Sequence, residues 1–329
     1  MIKKFALKAA RSVIKILLPF VSKILICLRI NRRVANYLNH QSFLANNCYN
    51  FSKFIEKLNI NEKIIALDVG AQGGFNADGF FSKRYEKFFE IIMVEPIKEE
   101  AEKLKKKFKY VIDKGLWSSN KKKSIYILKN RLGSSSMYEP NPSSFEIHSI
   151  KEKDYNSYEV TKKTEIDCET LDHTLHKINV KIIDYLKLDT QGAELEILKG
   201  MKNYKPLVIK LEAHIFSMYK EVPAWSELMD HLNKLGYMVC DWKGIGSHAT
   251  RIPAEMDIVF IPNFKKEDGI NLINRNENKF ISLMLMFGYL DLLKIIAREL
   301  KLKSYENLDN YKDRFFFYNG NIRLFSILQ

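Results

Sequence analysis

With 329 residues, 46% of them hydrophobic, the chain can bury one large core with additions at both ends. Glycine and proline are sparse (14 and 8), and the four cysteines (Cys27, Cys48, Cys168, Cys240) form no C-x-x-C pair, which excludes low-complexity and disulfide-framed folds and fits a cytoplasmic protein. The net charge of +14 is concentrated in residues 1–33, where nine Lys and Arg meet no acid, so the remainder is too mildly basic to point to a nucleic-acid partner.

Within residues 2–30 those cations alternate with Phe5, Val13, Ile14, Leu17, Leu18, Phe20, Val21, Ile24, Leu25 and Leu28 at helical spacing, with Pro19 as a bend. Lys15 and Lys23 interrupt the apolar run before it reaches the ~20 residues that span a bilayer, and Lys15 would charge the centre of a secretory signal. Two readings stay open: a helix lying on an anionic membrane surface, at the inner face, or a helix packed on its own domain or on a second subunit. Oligomeric state is left undetermined.

Residues 34–63 read as a helical lead-in. From residue 64 the chain alternates strand and helix patterns. A short apolar run from Ile64 reads as a strand ending at the acid Asp68, and after Val69 comes Gly70-Ala71-Gln72-Gly73-Gly74, a glycine-dense turn that lets a ligand approach the backbone and is expected to enter a helix over 77–87. A second apolar strand over 91–94 ends at Glu95-Pro96, followed by a lysine-rich helix over 97–108 and a third strand near 110–116. The stretch 124–128 precedes a loop at 131–136, and residues 139–158, rich in Pro, Ser, Asn and Tyr, form a long excursion of the kind that often carries function. A strand over 160–166 and a helix over 171–177 lead to a strand ending at Asp189, the turn Thr190-Gln191-Gly192 and a helix over 193–199. Another strand spans 207–211, with Glu212 and His214 expected just past its end. A helix over 224–235 and strands at 237–240 and 256–261 complete the alternation, and a helical pattern over 280–300 precedes an aromatic tail at 315–318. This order predicts a doubly wound, mostly parallel α/β sheet over 61–264, between a basic N-terminal region, 1–60, and a C-terminal helical extension, 265–329.

In such a sheet ligands bind outside the carboxyl ends of the strands, which is where Asp68, Glu95, Asp189, Glu212 and His214 are placed. Clustered carboxylates repel one another unless they share a cation, so a sulfonium or a divalent metal is a natural guest; no residue is singled out as a metal ligand. Any one of the acids can equally be a turn or helix cap. Nicotinamide binding is the competing cofactor reading, but Gly70, Gly73 and Gly74 lack the Gly-x-Gly-x-x-Gly spacing, whereas Asp68, Gly70 and Gly74 satisfy the looser acid-x-Gly-x-x-x-Gly.

These motifs resemble the FkbM family of S-adenosylmethionine-dependent methyltransferases. Residues 68–74 resemble its first motif with Gln72 in place of the usual Asn, and Val94-Glu95-Pro96 its second. Lys187-Leu188-Asp189-Thr190-Gln191-Gly192-Ala193-Glu194 resembles its signature, with Gln191 where an acid is usual. The resemblance covers about 200 residues and implies a Rossmann-like fold of the class I methyltransferase type. It also implies transfer of the sulfonium methyl to a hydroxyl of a sugar, on a surface glycan or glycolipid, or of another hydroxylated natural product. It implies S-adenosylmethionine contacts at Asp68, Gly70, Gln72, Gly74, Glu95, Gly115 and Leu116. A base for the acceptor hydroxyl is sought first at Asp189, then at Glu212 and His214. Two other readings remain: a membrane-associated protein that keeps the fold without catalysis, and a nucleic-acid methyltransferase, against which the absence of an Asn/Asp-Pro-Pro-aromatic motif counts.

Overall fold

The computed structural model describes residues 51–59, 62–245 and 252–309, with the short pairs 317–318 and 321–322. The basic stretch 1–33, with its expected amphipathic helix, and most of the lead-in lie outside the described residues. Two compact units divide the chain.

The larger unit comprises Lys63–Ala77 and Phe89–Asn276. Its strands are β1 (Ile64–Val69), β2 (Phe89–Val94), β3 (Tyr110–Ile112), β4 (Gly115–Leu116), β5 (Lys121–Leu128), β6 (Val160–Glu169), β7 (Tyr185–Leu188), β8 (Val208–His214), β9 (Tyr237–Ile245) and β10 (Glu255–Pro262). Seven of them form one sheet in the order β3-β2-β1-β7-β8-β10-β9, in which only β10 runs antiparallel to its neighbours. This is the expected Rossmann-like α/β class. Successive strands step outward from β1 in one direction and from β7 in the other, so the chain reverses between these two strands. That reversal opens a crevice at their carboxyl ends. A second sheet, β4-β6-β5, carries the loop after β5 towards that crevice.

Period-two alternation decides which side chains reach the crevice. β7 reads Tyr-Leu-Lys-Leu and β8 reads Val-Ile-Lys-Leu-Glu-Ala-His. Leu186, Leu188, Ile209, Leu211 and Ala213 fall on one face, in a buried cluster with Leu171 and Leu175 of α3 (Leu171–Lys177), Leu195 and Leu198 of α4 (Glu194–Lys199), and Leu228 and Leu232 of α5 (Trp225–Lys234). Each buried Leu or Ile of this set stabilises the fold by ~1.5–3 kcal/mol, and a one-residue slip would drive Lys187 and Glu212 into that core. The opposite face therefore receives Lys187, Lys210, Glu212 and His214. With Asp68 opposite Lys187, Lys187 opposite Lys210, Glu212 opposite Asp257 and His214 opposite Glu255, four strands contribute charged groups to one surface.

Several expectations are corrected. No α-helix follows β1: the chain turns through Gly70, Gly73, Gly74, Asn76 and Gly79, all at positive φ, and only a 3-10 turn forms at Lys83–Phe88. The expected third strand divides, Tyr110–Ile112 joining the main sheet and Gly115–Leu116 the second. Glu212 and His214 lie inside β8 rather than past its end, because pairing with β10 extends the strand. Residues 139–158 contain 3-10 turns at Pro142–Ser144 and Glu152–Tyr158. Between β2 and β3 lies α2 (Lys98–Lys105), and α6 (Glu267–Arg275) falls in this same unit.

The second unit comprises the described parts of Met1–Glu62, Asp78–Phe88 and Glu277–Gln329. It holds α1 (Ser52–Leu58), α7 (Glu277–Met286), α8 (Leu290–Leu300) and α9 (Lys303–Asp309). The Tyr85 hydroxyl accepts from the Phe51 amide at 3.1 Å, Asn59 Nδ2 donates to Ser282 Oγ at 2.7 Å, and Phe80 and Phe81 stack on Phe287. Among the described residues no helix is long and apolar enough to cross a membrane.

Candidate active site

A cleft at the carboxyl ends of β1, β2 and β7 is lined by Gly70, Gln72, Glu95, Gly115, Leu116 and Asp189, among others. Six residues singled out from sequence thus meet at one place. Asp68 and Gly74 lie outside this lining: Asp68 is fully buried beneath the loop, and Gly74 faces the Phe108 ring.

The floor is set by two glycine requirements. Gly70 sits at φ +78°, and a Cβ there would stand 1.8 Å from the Asp189 carbonyl oxygen, so the loops after β1 and β7 touch through backbone. Opposite, a Cβ on Gly133 would come within 2.6 Å of Gln72 Oε1, so Gln72 is laid against the loop after β5. Lys114, expected with Gly115 and Leu116 to run past the adenine, lines the cleft, and so does Gly133, which was assigned no contact from sequence.

Glu95 is buried at the end of β2. One of its carboxylate oxygens accepts from the Ile97 amide at 2.8 Å, and burial, aided by the charges of Glu100 and Asp68, pushes its pKa up to about 7. Its second oxygen has no protein donor among the described residues. An acceptor at the wall of a cleft is available to a ligand donor, and the paired hydroxyls of a ribose supply one. The residues present therefore fit an adenosyl cofactor.

Asp189 stands at the other end of the cleft. Lys187 Nζ lies 3.5 Å from Asp68 Oδ1 and 3.4 Å from Asp189 Oδ2, and Lys210 Nζ lies 3.5 Å from Asp257 Oδ1. Two lysines of the same sheet face thus offset the repulsion among the acids, which corrects in part the expectation of an external cation. Lys187 was legible in the motif, but its role was not.

The turn after Asp189 is held by Glu194, which accepts from Thr190 N at 2.8 Å, Thr190 Oγ1 at 2.9 Å and Gly192 N at 3.0 Å. Burial raises the Glu194 pKa to about 7. This places Gln191, at φ +57°, between two carboxyl groups: its Nε2 donates to Asp189 Oδ1 at 3.1 Å and Glu212 Oε1 at 2.9 Å. An acid at 191 would add a third negative group, whereas the amide offers two donors. Tyr219 Oη stands 2.8 Å from Gln191 Oε1 and 2.7 Å from the Ser134 carbonyl, so its proton serves one acceptor at a time.

Beyond Gln191 lies a polar hollow lined by Ser134, His148, Tyr158, Gln191, Glu212 and Glu255, with a few apolar residues. Burial, reinforced by the Asp189 and Glu255 charges, pushes the Glu212 pKa well above the usual carboxylate range, which favours its neutral form. His214 does not line the hollow. It is buried behind it, 3.6 Å from Glu255 and 4.0 Å from Glu212, and burial lowers its pKa. His148 and Glu255 were missed from sequence: His148 arrives from the long excursion, and Glu255 is placed by its pairing with His214.

The family described as the methyltransferase FkbM domain matches residues 68–239, more than half of the chain. That segment includes Asp68, Glu95, His148, Asp189, Glu212 and His214 and stops before Glu255. Among solved structures, precorrin-6y C5,15-methyltransferase from Geobacter metallireducens GS-15 is similar over 64% of this chain and 85% of that one, at 13% identity and a TM-score of 0.26. Comparison with curated proteins finds no match.

Proposed function

The chain belongs to the FkbM methyltransferase family, and from that premise we propose that it methylates a hydroxyl oxygen of a sugar or another hydroxylated natural product. When bound, S-adenosylmethionine supplies an electrophilic methyl group. Glu95 accepts from the ribose hydroxyls, the Gly70–Asp189 backbone contact bounds the methionine end, and Gly115 with Leu116 borders the adenine.

The observation that carries the acceptor class is the bridge through Gln191, which joins the cofactor cleft to a hollow lined mainly by polar groups. Such a lining offers a hydroxyl-rich molecule both donors and acceptors, and it offers an apolar acceptor little. Asp189 borders the cleft at this junction and would take the proton of the acceptor hydroxyl, while the bound cofactor would supply the methyl group. Glu212, whose burial favours the neutral form, positions the acceptor by hydrogen bonding.

The test is incubation with methyl-labelled S-adenosylmethionine and a panel of sugars, glycolipids and polyhydroxylated metabolites. Label in a methyl ether stable to mild alkali supports the reading. Label confined to amines or carboxyl esters contradicts it. We further propose, from charge and apolar spacing alone, that residues 1–33 bring the enzyme to an anionic membrane surface bearing a lipid-linked acceptor.

A further inference from the structure

Beside the hollow, two histidines and a glutamate face one another. His148 Nε2 lies 2.7 Å from the Phe216 carbonyl, which can only accept, so Nε2 carries the ring proton and donates. Nδ1 of the neutral ring then presents a lone pair, yet it stands 2.9 Å from Glu255 Oε1. Two lone pairs at that distance repel, and a positive charge between them removes the conflict.

A second proton on His148 would serve that contact alone. It would not account for His214, which is buried with neither ring nitrogen hydrogen-bonded among the described residues. Buried polar groups are almost always partnered, so an orphaned imidazole calls for a reason. Its Nδ1 points at the same carboxylate oxygen, 3.6 Å away.

We propose that His148, His214 and Glu255 bind a divalent transition-metal ion of the zinc, manganese or iron type at the wall of the hollow. One donor atom from each lies within 4.8 Å of the others. Metal–nitrogen and metal–oxygen bonds near ~2.1 Å set two opposed ligands about 4.2 Å apart and two tetrahedral ones about 3.4 Å apart, so a pair at the 4.8 Å limit closes by about 0.6 to 1.4 Å when the ion binds. Two imidazoles with one carboxylate favour these cations over magnesium or calcium, which prefer oxygen ligands throughout. The His148 N–H donated to a backbone carbonyl is the arrangement that orients a ligating imidazole. The scaffold is rigid, since His214 and Glu255 are directly opposed on β8 and β10. Three protein ligands leave coordination open, and His148 and Glu255 line the hollow. If the hollow holds the acceptor, the ion can bind and acidify its hydroxyl; that consequence alone rests on the function proposed above.

The experiment is calorimetric titration of the chelator-treated full chain with Zn2+, repeated on His148→Ala, His214→Gln and Glu255→Gln, each checked for cooperative unfolding. One ion per chain is expected, with affinity at least ~100-fold weaker in each variant. A Co2+-loaded wild-type sample should show two paramagnetically shifted, exchangeable imidazole N–H resonances, a readout that needs no variant. No saturable binding, affinity unchanged by the substitutions, or a Co2+ spectrum without shifted imidazole protons would overturn the site. S-adenosylhomocysteine binding, titrated on the same metal-free protein, tests the cofactor reading separately: its loss would count against that reading and leave the metal result standing.

Discussion

No side chain fits between Gly70 and Asp189: a Cβ on the glycine would stand 1.8 Å from the aspartate's carbonyl oxygen. The two loops that meet here belong to the strands between which the sheet reverses, so the glycine sets how closely the cofactor loop and the candidate base approach. Gly70→Ala should therefore lower the melting temperature and weaken S-adenosylhomocysteine binding at least ~10-fold, because backbone must move. Gly79 is the control. It has φ +67° but nothing within 4 Å of a Cβ, so Gly79→Ala should cost only the left-handed-backbone penalty of ~1–2 kcal/mol. Equal effects from the two substitutions would show that the close approach does not matter.

Glu95 ties cofactor affinity to pH. Its folded-state pKa of about 7 lies above the usual 4.5, so it is largely neutral at pH 6 and ionised at pH 8. Ribose hydroxyls donate best to the ionised form, so S-adenosylhomocysteine affinity should fall about tenfold from pH 8 to pH 6. The free protein responds with the opposite sign: stability from this raised carboxyl is present at low pH and is lost as pH rises from about 4.5 through 7. Glu95→Gln should flatten both profiles. A flat wild-type binding profile over this range would contradict the assignment.

The two carboxyl groups bridged by Gln191 should respond differently to amide replacement. Asp189→Asn removes the base and should reduce turnover at least ~100-fold with little change in cofactor affinity. Burial and the neighbouring carboxylates favour the neutral form of Glu212, so Glu212→Gln keeps a group of the same shape and should retain turnover within about threefold. The reverse ranking in steady-state rates would move the base to Glu212.

How much of this was legible in the sequence follows from the range of each interaction. β1 and β2 announce themselves because a short apolar run ending in an acid is a local pattern, and Gly70 and Glu95 line the cleft where it places them, while Asp68 is buried outside the lining. The helix expected over 77–87 fails because Asn76 and Gly79 take positive φ, which apolar periodicity does not register. Glu212 and His214 look like loop residues on polarity alone. They are strand residues because one sheet face near the crevice is polar, and only the pairing with β10 reveals it. His148 and Glu255 carry no local signal, since they are joined through tertiary structure.

Residues 1–33 supply a prediction independent of the cleft. Each of the nine cations is worth ~1 kcal/mol near an anionic bilayer, and the interleaved apolar residues add a part that salt does not screen. The full chain should float with liposomes containing anionic lipid and less with neutral ones, and a chain lacking 1–33 should remain at the bottom while still binding S-adenosylhomocysteine. A truncated chain that unfolds, or that loses a dimer formed by the full one, would instead mark the segment as a packing element.

The central claim is that the cleft between Glu95 and Asp189 is built for S-adenosylmethionine. Calorimetric titration of the full chain with S-adenosylhomocysteine tests it most directly, beside an identical titration with NAD. The account predicts one saturable site for S-adenosylhomocysteine, weakened at least ~10-fold by Glu95→Ala through lost charge-assisted hydrogen bonds, and no binding of NAD. Saturable NAD binding without S-adenosylhomocysteine binding, or an affinity indifferent to Glu95, would contradict it.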